Sequence, residues 1–423
     1  MVGFSGDNLQ CGANAASRTI ESPVGRVTMS ILKRLGPPLA ITALLGLAVI
    51  YAGTLAAEAP VEEQAGGAEA PMFEVDPFWP KPLPNHWLLG STIGVDADAQ
   101  DHIWIVHRAS TLAANETSVL NDPPTSEECC RPAPPVLEFD PEGNLVGHWG
   151  GPGNGYDWPS SNHGITIDHM NNVWVGGNGG GDSHALKFSR TGEFLLQVGV
   201  AGRAPDSLSL DSFGRIAKIA VDGDANEIYF ADGYGNKRVA VVDADSGQVK
   251  RFWGAYGNRP DDNYSVRYTP GDPNLQQFSS PVHCAEVSNS GLIYVCDRAH
   301  DRIQVFQKDG TYVDEMLVLP NTTGSGAAWD IDFSHDAEQA YLYLADGVNQ
   351  RIHIIDRVNL EHLTSFGDGG RQPGQFFGAH SVTVDSSGNL YTTETYEGKR
   401  VQKFVYKGMG PVTTKNQGVV WPQ

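Results

Sequence analysis

Cysteine is scarce in this chain, with five residues in 423, too few for a fold built on disulfides. Cys11 lies in a leader. Cys129 and Cys130 adjoin in a Pro-rich stretch, where such a pair either binds a soft metal, closes on itself or stays as two loop thiols. Cys284 and Cys296 fall on adjacent predicted strands and are placed to pair in an oxidising compartment. Positive charge is scarce too: 29 Lys and Arg stand against 50 Asp and Glu, a net charge of -21. Such a surface argues against nucleic acid and anionic membranes as partners and suits a soluble protein outside the cytoplasm.

A long apolar run stands near the N-terminus. Lys33 and Arg34 precede "LAITALLGLAVIYAGTLAA" (39–57), a basic region followed by about 19 apolar residues ending in small ones. That is a secretory signal, cleaved after Ala57 or Ala59, or a retained membrane anchor. The basic-apolar order begins well after Met1, so Met29 is the expected start and 1–28 an over-extended reading frame. "EAPVEEQAGGAEAP" (58–71) reads as an acidic linker. The expected location is secreted or periplasmic, with membrane contact only through the leader.

Glycine and proline are plentiful, 49 and 26 residues, and they punctuate a repeat. "STIGVDADAQDHIWIV" (91–106), "HGITIDHMNNVWVG" (163–176) and "AKIAVDGDANEIYFAD" (217–232) share one template. So do "HCAEVSNSGLIYVCD" (283–297), "WDIDFSHDAEQAYLYLAD" (329–346) and "HSVTVDSSGNLYTTE" (380–394). Each is a short strand, a turn and an aromatic-led strand, followed by a third and often a fourth strand. A period of roughly 50 to 70 residues belongs to propeller blades. Six units predict an all-β, six-bladed β-propeller over 72–423. The last blade lacks an outer strand, which "MFEV" (72–75) or "GVVW" (418–421) would supply.

Counting back five residues from the residue that ends each first strand gives Ser91, His163, Ala217, His283, Trp329 and His380. The histidines occupy alternate blades, about 120° apart on a six-fold ring. Starting strands that line the axis, they would converge there. Three such imidazoles either bond loop backbone or form the N3 set of a zinc site with an open fourth position; their shared register favours zinc. Arg108 and Arg298 end second strands and so border the same mouth, with Tyr234 one step further along its blade. Each arginine either pairs with a neighbouring aspartate such as Asp297 or receives a carboxylate substrate. Tyr234 is placed as a general base. A long insert, 109–134, lies over this mouth as a lid or binding loop.

"GDGGRQPGQF" (367–376) resembles the NHL-repeat signature. More widely, "HRA" (107–109), "DGYGN" (232–236), "HCAEVSNSGLIYVCDRAHDRIQVF" and the inner-strand histidines resemble the peptidyl-α-hydroxyglycine α-amidating lyases over the whole propeller. The resemblance implies zinc on His163, His283 and His380, with Arg108, Arg298 and Tyr234 as active-site residues. It implies cleavage of an N-acyl-α-hydroxyglycine to an amide and glyoxylate. It also implies calcium, held by the carbonyls of Val95 and Ile165 and by a carboxylate after the third histidine. Ser381 stands at that last position, and Gly235 stands where the family has a cysteine after its tyrosine. Two alternatives remain. A propeller lactonase or esterase would require carboxylates and Asn on the axis. A non-catalytic NHL propeller binding a protein or glycan would require an exposed aromatic patch, for which Trp149, Trp158 and Trp253 are candidates.

Overall fold

The computed structural model describes residues 68–413 and 417, apart from 265, 266, 273 and 274. The expected start at Met29, the apolar run 39–57, most of the linker and the segment 418–421 lie outside the described residues. Among those described, no helix is long and apolar enough to cross a membrane.

Six four-stranded antiparallel sheets succeed one another along the chain. Their innermost strands are Ser91–Ala97, Asn162–Ile167, Ile216–Asp222, Val282–Val287, Asp330–Phe333 and Ala379–Val384. Each packs against the inner strands of both neighbours, which closes a ring about one axis. This is the six-bladed β-propeller. Glu69–Asp76 pairs antiparallel with Arg400–Pro411 and completes the sixth blade, so the N-terminal strand closes the ring. Apolar clusters fill the wedges between blades. Trp174, Phe213 and Phe230 pack blade 2 on blade 3, for example, and Cys284, Ile331 and Leu342 pack blade 4 on blade 5. Each large side chain so buried contributes about 1.5–3 kcal/mol.

The repeat seen in the sequence has a polar cause. Asp98, Asp168 and Asp385 each close the first turn, with one oxygen accepting two backbone N–H groups of the turn. Their other oxygen accepts from Trp104, Trp174 or Tyr391 on the second strand. A second device recurs one strand later. The buried Arg238 and Arg302 open third strands and pair with Asp232 at 2.7 Å and Asp297 at 2.9 Å.

The turn aspartates correct one register. In blade 1 the turn residue is Asp98, not Asp96, because the inner strand runs two residues further than the repeat suggests. Asp96 pairs with Trp104 as Thr166 pairs with Trp174. The residue equivalent to His163 is therefore Ile93, not Ser91. The aromatic candidates also resolve. Trp253 is buried in the core, and Trp149 and Trp158 pack on a core cluster, so they form no exposed patch.

Candidate metal centre

In blades 1, 2, 3, 4 and 6 the pairing of first and second strands slips one place at the level of the histidines. Such a bulge re-aims a side chain, and here it coincides with convergence on the axis. The rings of His163, His283 and His380 lie 5.1, 5.0 and 4.8 Å apart, centroid to centroid. All three are buried, and one ligand nitrogen from each lies within 4.8 Å of the others.

The blades between them hold the rings. His163 Nδ1 donates to Ala217 O at 2.6 Å, and His283 Nδ1 donates to Trp329 O. His380 Nδ1 donates to Ser381 Oγ at 3.0 Å, and that hydroxyl donates onward to Ile93 O at 3.2 Å. Ile93, Ala217 and Trp329 are the equivalent residues of blades 1, 3 and 5. The same ring level thus supplies three imidazoles and, alternating with them, three anchoring carbonyls. Gly164 is needed for this fit: at φ +73°, its Cβ would lie 2.7 Å from Ala217 O.

These anchors settle the tautomers. The carbonyls of Ala217 and Trp329 only accept, and the Ser381 hydroxyl gives its one hydrogen to Ile93 O, so each Nδ1 carries the proton and each Nε2 presents a lone pair. Burial pushes all three pKa values well below the histidine range, and positive charge pushes the same way, from Arg298 at all three and from Arg108 at His163 and His380. The imidazoles are neutral. The Tyr234 hydroxyl lies 3.1 Å from His163 Nε2 and 3.0 Å from His283 Nε2, and its single hydrogen serves one of them at a time. His380 Nε2 has no hydrogen-bond partner among the described residues. Two of these acceptors share one hydrogen and the third has none, a poor arrangement for protein atoms alone and a fitting one for a Lewis acid. Zinc therefore suits His163, His283 and His380.

Calcium does not suit the position implied below them. The backbone of Val95 and Ile165 and the side chain of Ser381 border an axial cavity of about 10 Å³, room for one water. Lys218 and Asp330 border it too. The Ser381 hydroxyl is committed to His380 and Ile93, and an ammonium already occupies the axis. A site for calcium needs six to eight oxygens.

The mouth gathers the other expected residues. Arg108 donates from Nε to Asn162 O at 3.1 Å and from a terminal nitrogen to Asn178 Oδ1 at 2.8 Å. Arg298 donates from Nε to Ser325 O at 3.0 Å and from a terminal nitrogen to Tyr234 Oη at 3.3 Å, and lies 4.5 Å over the Trp329 ring. Neither makes an ion pair among the described residues. The aspartate nearest in sequence to Arg298, Asp297, is taken by His300 and Arg302. Both guanidiniums are half-buried, and each retains donors for an anion. His107, beside Arg108, is structural: Gly90 N donates to its Nδ1, and its Nε2 donates to Pro134 O.

Tyr396, at the same rim, was missed in the sequence because it follows its strand by two residues. Its ring lies 6.5 Å from that of Trp329, and its carbonyl accepts from Ser91 Oγ. The insert is tied to blade 6 through Glu116 and Lys399, 2.6 Å apart. Cys129 and Cys130 are joined to each other within it, and Cys284 is joined to Cys296 across one strand pair. Neither cysteine of the insert belongs to the histidine cluster. Cys129→Ser with Cys130→Ser is therefore expected to leave metal content unchanged by elemental analysis; loss of the metal would move the site to the insert.

A second histidine-carboxylate group, Asp98, His102 and Glu138, is filled by the Arg190 guanidinium, which binds all three.

No protein-family model matches the chain. The mouse "NHL repeat-containing protein 3" is 24% identical over 304 residues, 70% of this chain and 70% of the mouse protein. Its human counterpart is 25% identical over 235 residues, and the match spans 55% of this chain and 57% of the human protein. Among solved structures, an inactive virginiamycin B lyase from Staphylococcus aureus with quinupristin aligns at TM-score 0.42 and 14% identity, covering 80% of this chain and 89% of that one. A streptogramin B lyase aligns at TM-score 0.45 and 14% identity, covering 79% and 98%. The chain is a six-bladed β-propeller with NHL repeat-containing homologues at low identity.

Proposed function

We propose that the protein is an extracytoplasmic, zinc-dependent carbon–nitrogen lyase acting on a carboxylate-bearing carbinolamide of the N-acyl-α-hydroxyglycine type. One observation carries this reading. Three buried imidazoles converge, two of them on a tyrosine hydroxyl, beside two guanidiniums that make no ion pair among the described residues. That set matches a substrate with an ionised carboxylate next to a carbon bearing hydroxyl and amide nitrogen.

Arg108 and Arg298 hold the carboxylate through their remaining donors. Zinc on the three histidines would supply a Lewis acid to polarise substrate oxygen. Acting as the phenolate, Tyr234 Oη would take the hydroxyl proton, with the Arg298 guanidinium donating to the same oxygen. The electrons of that O–H bond become the new C=O as the C–N bond breaks. The departing nitrogen takes the proton back from Tyr234, so the products are a primary amide and glyoxylate. The Cys284–Cys296 disulfide supports an oxidising, extracytoplasmic setting.

The test is direct. Zinc-replete protein given an N-acyl-α-hydroxyglycine is expected to release glyoxylate and amide in equal amounts. Arg298→Ala is expected to raise KM about 10- to 100-fold, since a charge-assisted bond to the carboxylate is lost. Absence of glyoxylate from zinc-replete wild type would end the lyase reading and leave the NHL propeller as a binding module.

A further inference from the structure

Below the histidines the axis holds a second polar group that the proposed chemistry does not use. Lys218, from the inner strand of blade 3, points its ammonium into it. Nζ lies 2.6 Å from Asp330 Oδ1, 2.8 Å from Glu286 Oε1 and 3.3 Å from Ile331 O. Asp96 and Asp332 complete a set of four carboxylates around one cation.

The group links the blades. Asp96 of blade 1 accepts from Ile167 N of blade 2, and Thr166 of blade 2 donates to Ile219 O of blade 3. Lys218 joins blade 3 to blades 4 and 5. Asp330 and Asp332 of blade 5 accept from Val382 N and Val384 N of blade 6. Thr383 of blade 6 returns to Asp96 at 3.5 Å. Lys218 supplies the only cation in this belt among the described residues. Burial raises the pKa of Asp96 to about 7 and that of Glu286 to about 8, with Asp332 and Asp330 respectively adding repulsion. Burial alone would lower the Lys218 pKa, but the attraction of Asp330 and Glu286 raises it instead.

We propose that the Lys218 ammonium is a built-in replacement for a divalent cation on the propeller axis, locking six blades without bound calcium. A lysine delivers its charge covalently, so the lock does not depend on ion concentration. Its removal would leave carboxylates and backbone carbonyls around an open axial space, the ligand types calcium takes. The inference is independent of the lyase reading, because its test does not use turnover.

Thermal unfolding of wild type and Lys218→Ala would be followed in calcium-free buffer and in millimolar calcium chloride. Wild type should melt at the same temperature in both. Lys218→Ala should melt lower without calcium and recover by about 5 °C or more with it. A calcium-dependent rise in wild type, or a folded Lys218→Ala protein indifferent to calcium, would overturn the proposal. If Lys218→Ala does not fold, Lys218→Gln gives the decision. It keeps most of the side-chain stem and removes the charge, and should melt lower than wild type in calcium-free buffer and be stabilised by calcium. A Lys218→Gln protein as stable as wild type, or one indifferent to calcium, would refute the lock.

Discussion

Replacing any one of His163, His283 or His380 with Ala is expected to strip the protein of its metal. Wild type prepared without chelator should hold about one zinc per chain. Loss of one imidazole leaves two ligands where three were needed. Changing an outer-shell partner alone typically costs 10–100-fold in affinity, so removing a ligand itself should cost more than about 100-fold. The fold should survive, since the wedges between blades and the strand ladders do not pass through the axial ion. Each variant should keep the wild-type far-ultraviolet circular dichroism and lose the rise in melting temperature that zinc gives the parent. Elemental analysis decides the matter. Full zinc occupancy in all three variants, or a wild type that neither holds zinc nor is stabilised by it, would make the histidines structural.

The second large effect belongs to Tyr234→Phe. Its hydroxyl touches His163, His283 and Arg298, while its main chain is held separately: its N–H donates to Arg215 O, and its carbonyl accepts from the Arg215 guanidinium and Ser280 Oγ. The substitution removes one oxygen and leaves the ring in place. Metal content should stay at one per chain, because three imidazoles remain. Turnover of an N-acyl-α-hydroxyglycine should fall about 10²- to 10⁴-fold in kcat, the usual contribution of a positioned proton acceptor. KM should change little, since Arg108 and Arg298 still meet the carboxylate. Near-normal kcat in a zinc-loaded Tyr234→Phe protein would remove Tyr234 from the chemistry.

Much of the architecture was legible because it repeats. Six copies of one strand-turn-strand pattern specify blades, and three histidines in one register on alternate blades stand out against the single copies that chance supplies. The register in blade 1 was less legible. Asp96 and Asp98 are both aspartates near a strand end, and only the hydrogen bonds of Asp98 to its turn and to Trp104 show which one ends the strand. The pairing of Asp297 was open as well. A carboxylate beside Arg298 in sequence has its acceptors taken by His300 and Arg302, since successive residues at a strand end point to different sides.

The amino-acid order by itself determined the all-β class, the number of blades and the positions of His163, His283 and His380, because strand periodicity and repeat length act through near neighbours. Tertiary structure alone decided what each imidazole presents to the axis. The carbonyls of Ala217, Trp329 and Ile93 that hold those rings lie 46 to 54 residues away for two of them and across the closure of the ring for the third. It also placed the Lys218 ammonium on the axis, and chose Glu69–Asp76 as the strand that completes the sixth blade. These are choices among partners distant in sequence, and they are made by which acceptors, charges and strand edges remain unsatisfied when the ring closes.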